Sequence, residues 1–410
     1  MMKKYDLDHP LFQKAMPVMD LIESHGFEVY FVGGCVRDTL LKRTIHDIDI
    51  ASSARPEEIE AIFNNTVDLG KEHGTIIVIY QGQSFEITTF RTEEGYSDYR
   101  RPDSVSFVRN LREDTLRRDF TINAFAFDRF GHLYDYHQGL RDLEDKLIRA
   151  VGYPDDRFKE DALRMLRALR FSCQLGFEIE SETFKAIQRL AENLKYLSVE
   201  RIRVEFSKLM MGQYFSDMSS NLIHSGLFQF MPNCDLILDN AWLKELQNWL
   251  KPLNDKGLQV CESLVWALFT LFIGLEDKEV RAFLRNWTHS NKLIKDVLAF
   301  RYLFPQFIDN NLSLWDIYHY DSHILFELDQ VMKANNQAGN IDVSTSLNLL
   351  PIRSIKDLKV DGNDILRILN LNQGGPIIGK IMARLEKLVV EGHLNNDYDT
   401  LEKFILELED

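Results

Sequence analysis

The feature that most constrains the fold of this chain is a pair of aspartates, Asp47 and Asp49, in the segment H-D-I-D-I. In an extended strand, residues two apart project from the same face, so both carboxylates can bind the same divalent cations. The acids follow a β-branched and aromatic run, V-Y-F-V, then Gly33 and Gly34, and then a helix-forming segment, V-R-D-T-L-L-K. This order predicts a strand, a glycine turn, a helix and a second strand that carries both acids.

The glycine pair allows the backbone to approach a phosphate closely at a helix N-terminus. Together with the acids, it indicates a site for a nucleoside triphosphate and Mg²⁺. Each feature alone is common, because most Gly-Gly pairs are ordinary turns and D-x-D arises by chance in acidic chains. A solvated acidic strand edge does not explain why Ile48 and Ile50 alternate so regularly with the two acids.

The net charge of −15 would disfavour nucleic-acid binding if the charge were evenly spread, because phosphate contacts need Lys and Arg. The arginines are clustered instead. One group is Arg100, Arg101, Arg109, Arg112, Arg117 and Arg118, and a second is Arg157, Arg164, Arg167 and Arg170. Local clusters of this kind indicate where phosphate binds on an otherwise acidic protein.

Cysteine spacing and hydropathy indicate a cytoplasmic protein. The four cysteines lie far apart, with no C-x-x-C and no histidines at ligand spacing, which predicts free thiols and no zinc site. The longest apolar run, residues 264–275, is too short for a membrane span of about 20 residues. We therefore expect a soluble protein that does not bind a membrane.

The predicted fold class is α+β. Up to about residue 140, helix and strand signals alternate: Pro56 followed by two glutamates predicts a helix start, and T-I-I-V-I-Y and S-F-E-I-T-T-F predict paired strands joined by Q-G-Q. After Asp142 nearly every segment has helical spacing, which predicts an all-helical remainder. The predicted regions are 1–140, 141–209, 210–311 and 312–410.

Further motifs carry a resemblance to a known family. They are G-G-C-V-R-D at 33–38, D-I-D at 47–49, R-R-D-F-T-I-N-A at 117–124, E-D-A-L-R at 160–164 followed by M-L-R-A-L-R-F, and S-V-E-R at 198–201. In this order they resemble the class II tRNA nucleotidyltransferases, the CCA-adding enzymes of the polymerase β superfamily. A C-terminal block, K-D-L-K-V-D-G-N-D-I with G-G-P-I-I-G-K, resembles the family's tail. The resemblance implies a nucleotidyltransferase head with a mixed sheet, followed by a helical neck, a body and a tail that binds tRNA.

The resemblance also implies the chemistry. An enzyme of this family adds CCA to the 3′ end of tRNA without a nucleic-acid template, uses CTP and ATP, depends on Mg²⁺ and releases pyrophosphate. DNA is not an expected partner. The metal would be held by Asp47 and Asp49. The implied nucleotide-binding positions near the acids are Gly33, Gly34, Arg37 and Arg118.

Residues 157–171 would select the base. Asp161, Arg164, Arg167 and Arg170 are spaced by three and form a ridge along a predicted helix. Spacing alone favours a salt-bridged surface helix. The resemblance instead implies that Asp161 and Arg164 contact the Watson–Crick edge of the incoming base, while the other two arginines assist with base and phosphate. Cytosine and adenine each present an exocyclic amine beside a ring-nitrogen acceptor, so one Asp–Arg pair could select both.

Four further features are notable, and three of them admit two interpretations. Glu86 is a candidate third catalytic carboxylate, although a strand Glu is more often solvent-facing. The segment 117–119, R-R-D, opens an apolar, helix-like run, where the arginines would bind triphosphate or pair with the Asp at a helix cap. The charged segment 91–104 has no clear period and predicts a mobile loop. The glycines at 374–375 precede either a phosphate-binding helix N-terminus or a tight turn.

Four alternative functions are considered for such a chain. A bacterial poly(A) polymerase is the first, but the segment G-K-E-H-G-T after the acids resembles the CCA-adding pattern. A CC-adding or A-adding enzyme is the second, and relatives restricted to C addition lack the loop that is present here. An inactive RNA-binding protein would keep the arginine clusters without needing Asp47 and Asp49. An HD phosphohydrolase would need a second histidine cluster, which the sequence lacks.

Overall fold

The structure is a computed structural model that describes residues 3–94, 104–234, 237, 239–337, 339 and 342–408. The chain packs as two compact units, of which the first comprises Met1–Leu243 and Asn286–Thr288. The second comprises Lys244–Arg285 and His289–Asp410. The finer boundaries that the sequence indicates near residues 140, 209 and 311 stay predictions.

Among its described residues, the first unit contains a mixed β-sheet of seven strands and two smaller sheets of two strands each. Its strands are β1 (Val29–Val32), β2 (Asp49–Ser52), β3 (Thr66–Gly70), β4 (Thr75–Tyr80), β5 (Gln83–Thr89), β6 (Arg91–Glu94), β7 (Ser104–Phe107), β8 (Phe125–Phe127), β9 (Leu133–Asp135), β10 (Leu147–Ile148) and β11 (Glu178–Ile179). Seven of them form one sheet in the order β3-β4-β5-β2-β1-β8-β9. Strands β2 and β5 pair in parallel, and the other neighbours in this sheet pair antiparallel.

Helices alternate with the strands along the chain up to β11, and the elements after β11 are helices. Those that begin in the first unit are α1 (Pro10–Ser24), α2 (Gly34–Leu40), α3 (Pro56–Ile62), α4 (Leu111–Leu116), α5 (Gly139–Glu144), α6 (Pro154–Glu160), α7 (Leu163–Leu175), α8 (Ser181–Leu190), α9 (Val199–Met210), α10 (Phe215–Met218), α11 (Ser220–His224) and α12 (Ala241–Asp255). Those that begin in the second unit are α13 (Glu262–Phe272), α14 (Asp277–Asn286), α15 (Asn291–Ile308), α16 (Leu314–His319), α17 (Ser322–Ala334), α18 (Val343–Leu349), α19 (Gly362–Ile368), α20 (Pro376–Val390) and α21 (Tyr398–Glu407). The α+β class and the helical remainder are thus confirmed.

Local sequence accounts for several of these elements. Helix α3 begins at Pro56, whose fixed φ suits the first helical position, and the two glutamates that follow face the positive end of the helix dipole. Strands β4 and β5 form the predicted hairpin, in which Ile76 and Val78 are buried on one face. Gln81 and Gly82 connect them with φ values of 49° and 74°, the backbone that matches the twist of a two-residue hairpin.

The element that carries the acids is largely as predicted. Strand β1 leads through Gly33 into α2, and the chain returns as β2, which pairs with β1 and β5. The difference is that β2 begins at Asp49, so Asp47 lies just before the strand and not within it. The face of the sheet at the start of β2 therefore carries one acid directly and the other from the approach to the strand.

Four other expectations need correction. The run F-T-I-N-A-F-A-F is not helical, because Thr121–Asn123 forms a single 3-10 turn and the chain then enters β8. The segment 157–171 is two helices: α6 ends at Glu160, and Asp161 is extended, with φ −137° and ψ 104°. The helical remainder contains one short parallel strand pair, β10 and β11. The predicted loop is flanked by paired strands, β6 and β7, and its centre lies outside the described residues.

The second unit has its own core. Its C-terminal cluster contains Leu385, Val389, Leu401 and Ile405, each fully buried, from α20 and α21. Their four-residue spacing on each helix is part of the pattern of an apolar stripe. Three tryptophans are fully buried, namely Trp266 in this unit and Trp242 and Trp287 in the first unit.

Candidate active site

A cleft of about 680 Å³ in the first unit collects most of the residues that the sequence singled out. Its basic lining residues are Arg37, Arg117, Arg118, Arg164, Arg167, Arg170, Arg201 and Lys208. Its acidic lining residues are Asp38, Asp47, Asp49, Asp119 and Asp161. Glycines from the β1–α2 turn, Gly33 and Gly34, complete one wall. Because the basic residues outnumber the acidic ones, the cleft favours an anionic ligand even though the whole chain is acidic.

Gly33 occupies a backbone conformation that only glycine adopts readily, with φ 74° and ψ −130°. A Cβ atom at this position would lie 3.4 Å from Nη1 of Arg118 and 3.5 Å from Oδ2 of Asp49. The glycine backbone therefore lies against both an arginine and an acid of the cleft. This close approach explains why the turn between β1 and α2 contains glycine at this position.

The two aspartates form a centre of negative charge at one end of the cleft. Burial and the negative charges of Asp47 and Glu86 raise the pKa of Asp49, Arg118 opposes them, and the pKa is raised to about 6 as a result. Although Asp49 keeps solvent-accessible surface, the protein around its carboxylate and the neighbouring acids oppose its ionisation. Carboxylates that repel one another in this way would be stabilised by a cation.

Glu86 lies next to Asp49 in the sheet. The two residues are register partners in the parallel pair β2–β5, so both side chains are on the same face. Glu86 does not line the arginine-rich cleft; it lines a neighbouring one, about 360 Å³ in volume, that shares Asp47 and Asp49 with the first. Among the described residues, no group of three or more His, Cys, Asp or Glu is arranged to hold a metal ion by itself.

The arginine pair of the R-R-D motif is fixed by a buried acid. Asp114 is fully buried, and its carboxylate lies 2.7 Å from Arg117 and 3.1 Å from Arg118. Burial opposes ionisation of Asp114, but the two guanidinium groups outweigh it and hold the pKa of this carboxyl below its usual value. Arg118 is thereby held against Gly33 and Asp49, where it can contact a phosphate.

The third residue of the motif, Asp119, orients an arginine of α7. Its Oδ2 accepts from Nε and Nη2 of Arg167 at 2.8 and 2.6 Å. Its Oδ1 accepts from the backbone of Phe120 and from the side chain of Asn123. Burial would raise the pKa of Asp119, but these partners lower it to about 2. The ion-pair interpretation of this motif is therefore corrected in its partners, because Asp119 pairs with Arg167, whereas Arg117 and Arg118 pair with Asp114.

The break between α6 and α7 sets the geometry of the predicted base-selecting pair. Oδ1 of Asp161 accepts from the backbone of Leu163 at 3.0 Å, and Oδ2 accepts from Nη2 of Arg201 at 2.7 Å. Arg164 donates to Glu160 at 3.0 Å and to the backbone carbonyl of Arg117 at 2.7 Å. Both members of the pair are therefore held in place by protein groups that flank the cleft.

An aromatic ring lies among the remaining arginines. The guanidinium carbons of Arg37, Arg167 and Arg170 lie 5.1, 5.4 and 4.2 Å from the ring centre of Phe171. Arg170 also lies 3.1 Å from the carboxylate of Glu205, and burial lowers the pKa of its guanidinium to about 10. Cation–π contacts of this kind allow several positive charges to pack closely at the back of the cleft.

The structure thus brings together ten of the eleven predicted site residues, and their individual roles stay predictions. The ten are Gly33, Gly34, Arg37, Asp47, Asp49, Arg118, Asp161, Arg164, Arg167 and Arg170, and the eleventh, Glu86, lies in the adjoining cleft. Sequence reasoning assigned no site role to Arg201 or Asn123. Both lie in motifs that the sequence analysis had quoted, S-V-E-R and R-R-D-F-T-I-N-A, so the motifs themselves were the available signal.

The mixed sheet, the glycine turn before α2 and the acids beside an arginine-lined cleft define a nucleotidyltransferase of the polymerase β type. Family models agree: the poly A polymerase head domain matches residues 29–149, the RNA- and SrmB-binding site of polymerase A matches 176–237, and the tRNA nucleotidyltransferase domain 2 matches 261–405. Within the described residues, no helix is long and apolar enough to cross a membrane.

Curated relatives and solved structures identify the family within the nucleotidyltransferases. The chain is 42% identical to a CCA-adding enzyme of Ligilactobacillus salivarius over 392 residues, which is 95% of each chain. It is also 42% identical to one of Streptococcus gordonii over 97% of each chain. A crystal structure of the Bacillus stearothermophilus CCA-adding enzyme in complex with CTP is 32% identical, with a TM-score of 0.85 over 98% of each chain. The chain belongs to the CCA-adding enzymes and is a tRNA nucleotidyltransferase.

Proposed function

We propose that this protein adds the 3′-terminal CCA to tRNA, without a nucleic-acid template, from CTP and ATP and with release of pyrophosphate. The observation that carries the proposal is the convergence of Asp47 and Asp49 with the base-selecting pair, Asp161 and Arg164, in one arginine-lined cleft. Relatives named as CCA-adding enzymes match nearly the whole chain, which supports the same conclusion.

The donor set at the acids fits Mg²⁺. Members of this family generally use divalent metals, and Mg²⁺ prefers carboxylate oxygens. It is usually held by one or two carboxylates together with substrate phosphates, so Asp47 and Asp49 would suffice without a third protein ligand. When bound, Mg²⁺ supplies charge neutralisation and activation of the attacking hydroxyl. Glu86 is a candidate to join the site from its position beside Asp49.

The residues of the chain position and neutralise the reactants. The 3′-hydroxyl of the tRNA attacks the α-phosphorus, a new P–O bond forms, and the bond to pyrophosphate breaks. Negative charge on the triphosphate would be met by Arg118 beside the acids and by the arginines around Phe171. These groups are already held in place by buried acids, so they need not reorganise during the reaction.

Base selection is assigned to Asp161 and Arg164. Each carboxylate oxygen of Asp161 has one protein donor and a second lone pair with which it can accept from an exocyclic amine. Arg164 uses two of its nitrogens for protein contacts, and a guanidinium has five N–H donors, so donors are left for a ring nitrogen. Cytosine and adenine present an amine donor and a ring-nitrogen acceptor to this pair. Uracil and guanine present a carbonyl acceptor and a ring N–H donor instead.

The proposal includes a cytoplasmic location. Cys35, Cys173 and Cys261 are free thiols, as expected in a reducing compartment. The alternative functions are a poly(A) polymerase and an enzyme that adds only part of CCA. Shortening the loop at residues 95–102, which lie outside the described residues, should leave tRNA ending in CC as the main product if that loop serves addition of A. Equal loss of C and A addition would contradict that role.

The decisive experiment uses tRNA that lacks its CCA end, with labelled CTP and ATP supplied singly and together. We expect two additions with CTP alone, none with ATP alone, three with both, and no addition to a DNA of the same sequence. Asp49→Ala should be inactive, and Asp145→Ala, at an exposed acid of the same unit, should be active. A long adenylate tail would identify a poly(A) polymerase, and a product that stops at CC would identify a partial enzyme.

A further inference from the structure

The 3-10 turn at Thr121–Asn123 places one neutral amide between two charged groups of the arginine-lined cleft. Asn123 lines this cleft and is only 6% exposed. Its Oδ1 accepts from Nη1 of Arg37 at 2.6 Å, and its Nδ2 donates to Oδ1 of Asp119 at 3.1 Å. A guanidinium only donates and an ionised carboxylate only accepts, so the two partners fix the orientation of the amide. Asn123 therefore satisfies both groups with one side chain.

This amide belongs to a chain of hydrogen bonds that crosses from α2 to α7. Arg37, in α2, also donates from Nε and Nη2 to the carboxylate of Asp38, in each case at 2.9 Å. At the other end, Oδ2 of Asp119 accepts from Nε and Nη2 of Arg167, in α7, at 2.8 and 2.6 Å. Asn123 thus links an arginine of the helix after the glycine turn to an arginine of the base-selecting segment.

The backbone around Asn123 holds it in this position. The turn leads into β8, where the carbonyl of Phe125 accepts from the backbone of Gly33 at 3.4 Å, so the turn lies beside the glycine turn. In the same turn, Oγ1 of Thr121 donates to Oδ2 of Asp142, in α5, at 2.6 Å. Neither Thr121 nor Asp142 is among the described lining residues of the cleft. The turn therefore has one buried polar side chain at the cleft and one outside it.

Both arginines keep donors for a ligand. A guanidinium has five N–H donors, of which Arg37 uses three on Asp38 and Asn123, and Arg167 uses two on Asp119. A planar guanidinium that is held at more than one nitrogen cannot rotate without breaking a hydrogen bond, so the remaining donors have a fixed direction. The two arginines also lie over one ring, that of Phe171, and therefore reach the same part of the cleft.

We propose that Asn123 is a positioning residue for nucleotide binding, which aligns Arg37 and Arg167 so that both contact the same triphosphate. This inference rests on the proposed function, in which these arginines meet the negative charge of the triphosphate. Base selection is separate, because the hydrogen bonds that hold Asp161 and Arg164 go to other residues. Asn123 thus sets the affinity for CTP and ATP alike and does not set the choice between bases.

Asn123→Leu removes both contacts of the amide and nearly keeps the size of the side chain. We expect the Kd for CTP and for ATP, measured by calorimetry with Mg²⁺, to rise about tenfold or more, as for lost hydrogen bonds to charged groups. The ratio of kcat/KM for CTP over UTP should stay as in the wild type. Thr121→Val is the matched control, because it removes a buried hydrogen bond of the same turn outside the cleft, and its Kd for CTP should be unchanged. A rise of the same size in both variants would identify Asn123 as a structural residue of the turn and refute the proposal.

A reciprocal exchange tests the same link if Asn123→Leu does not fold. Asn123→Asp sets a carboxylate against the carboxylate of Asp119, and Asp119→Asn sets an amide against an amide, so each single variant should bind CTP more weakly. The double variant again pairs one amide with one carboxylate and has the net charge of the wild type. Its Kd for CTP should be lower by about fivefold or more than additive single effects predict. Additive effects in the double variant would refute the link.

The positioning role and the proposed function fail in different ways. Wild-type protein that adds no nucleotide to tRNA would refute the proposed function. Active wild-type protein, together with Asn123 variants that bind CTP as the wild type does, would refute only the positioning role. If Asn123→Leu instead lowers the ratio of kcat/KM for CTP over UTP and leaves the Kd for CTP unchanged, Asn123 acts in base selection and the proposal is wrong.

Discussion

Replacing Asp161 with asparagine tests base selection while keeping the shape of the side chain. The carboxylate now meets two donors, the backbone of Leu163 on Oδ1 and Arg201 on Oδ2. An amide has one oxygen, so Asp161→Asn presents an N–H₂ donor on one side where the wild type presents an acceptor. The exocyclic amine of cytosine or adenine then loses an acceptor, whereas the carbonyl of uracil or guanine gains a donor.

The expected magnitude follows from the number of contacts affected. One well-formed bidentate pair discriminates between bases by about 1–3 kcal/mol, which is roughly one to two decades. We therefore expect the ratio of kcat/KM for CTP over UTP to fall by about 10- to 100-fold. The side chain of Asp161 is 19% exposed, so the same change should lower the melting temperature only slightly.

The assay is steady-state kcat/KM for all four triphosphates on tRNA that lacks CCA. Asp156→Asn, at an exposed acid of α6, is the matched control and should keep the wild-type ratio. If Asp161→Asn is slower with every triphosphate but its CTP to UTP ratio is unchanged, Asp161 is a structural acid of the α6–α7 break and the reasoning is refuted. A large fall in the melting temperature of Asp161→Asn would also indicate that Asp161 has a structural role.

Three further outcomes follow from the site. Asp47→Ala or Asp49→Ala should abolish transfer of both nucleotides with tRNA affinity nearly intact, measured by single-turnover transfer and filter binding, because these acids would hold metal and not RNA. Gly33→Ala should raise the KM for both triphosphates and destabilise the fold by about 1–3 kcal/mol, measured by kinetics and urea unfolding, because its φ of 74° suits only glycine. Asp119→Asn should lower the free energy of unfolding at pH 7 by about 2 kcal/mol or more, because the folded pKa near 2 lies below the usual aspartate pKa of 3.8. In urea unfolding, that difference should persist above pH 4 and shrink as pH falls from 4 to 2, where the wild type loses the contribution.

The sequence predicted the elements whose signals are local. The strand, glycine turn and helix around Gly33, the hairpin of β4 and β5, and the start of α3 all depend on residues close together in the chain. The helical reading of residues 120–127 failed because apolar residues with mixed spacing fit a buried strand as well as a helix. Pairing of β8 between β1 and β9 decided the outcome, and such pairing cannot be read from one segment.

The sequence predicted which residues form the site, but it did not predict their hydrogen-bond partners. The spacing of three from Asp161 to Arg170 indicated one helical ridge, yet Asp161 lies before α7 and faces Arg201, 40 residues further along the chain. Likewise, Asp119 pairs with Arg167, 48 residues away. Long-range partners of this kind follow from packing between α7 and α9 and from the contact of α7 with the segment at Asp119, so spacing within one segment could not reveal them.

The arginines around Phe171 have a consequence for the protein when it holds no nucleotide. Three guanidinium groups lie within 5.4 Å of one ring, and burial makes one of them less basic than usual. Positive charges this close repel one another, and a triphosphate bound as proposed would act as a further counterion beside Asp119 and Glu205. Nucleotide would then stabilise the cleft as well as react in it, because a ligand that binds only the folded state stabilises it by mass action. In a cell well supplied with CTP and ATP, the empty form would be the one most exposed to unfolding and proteolysis.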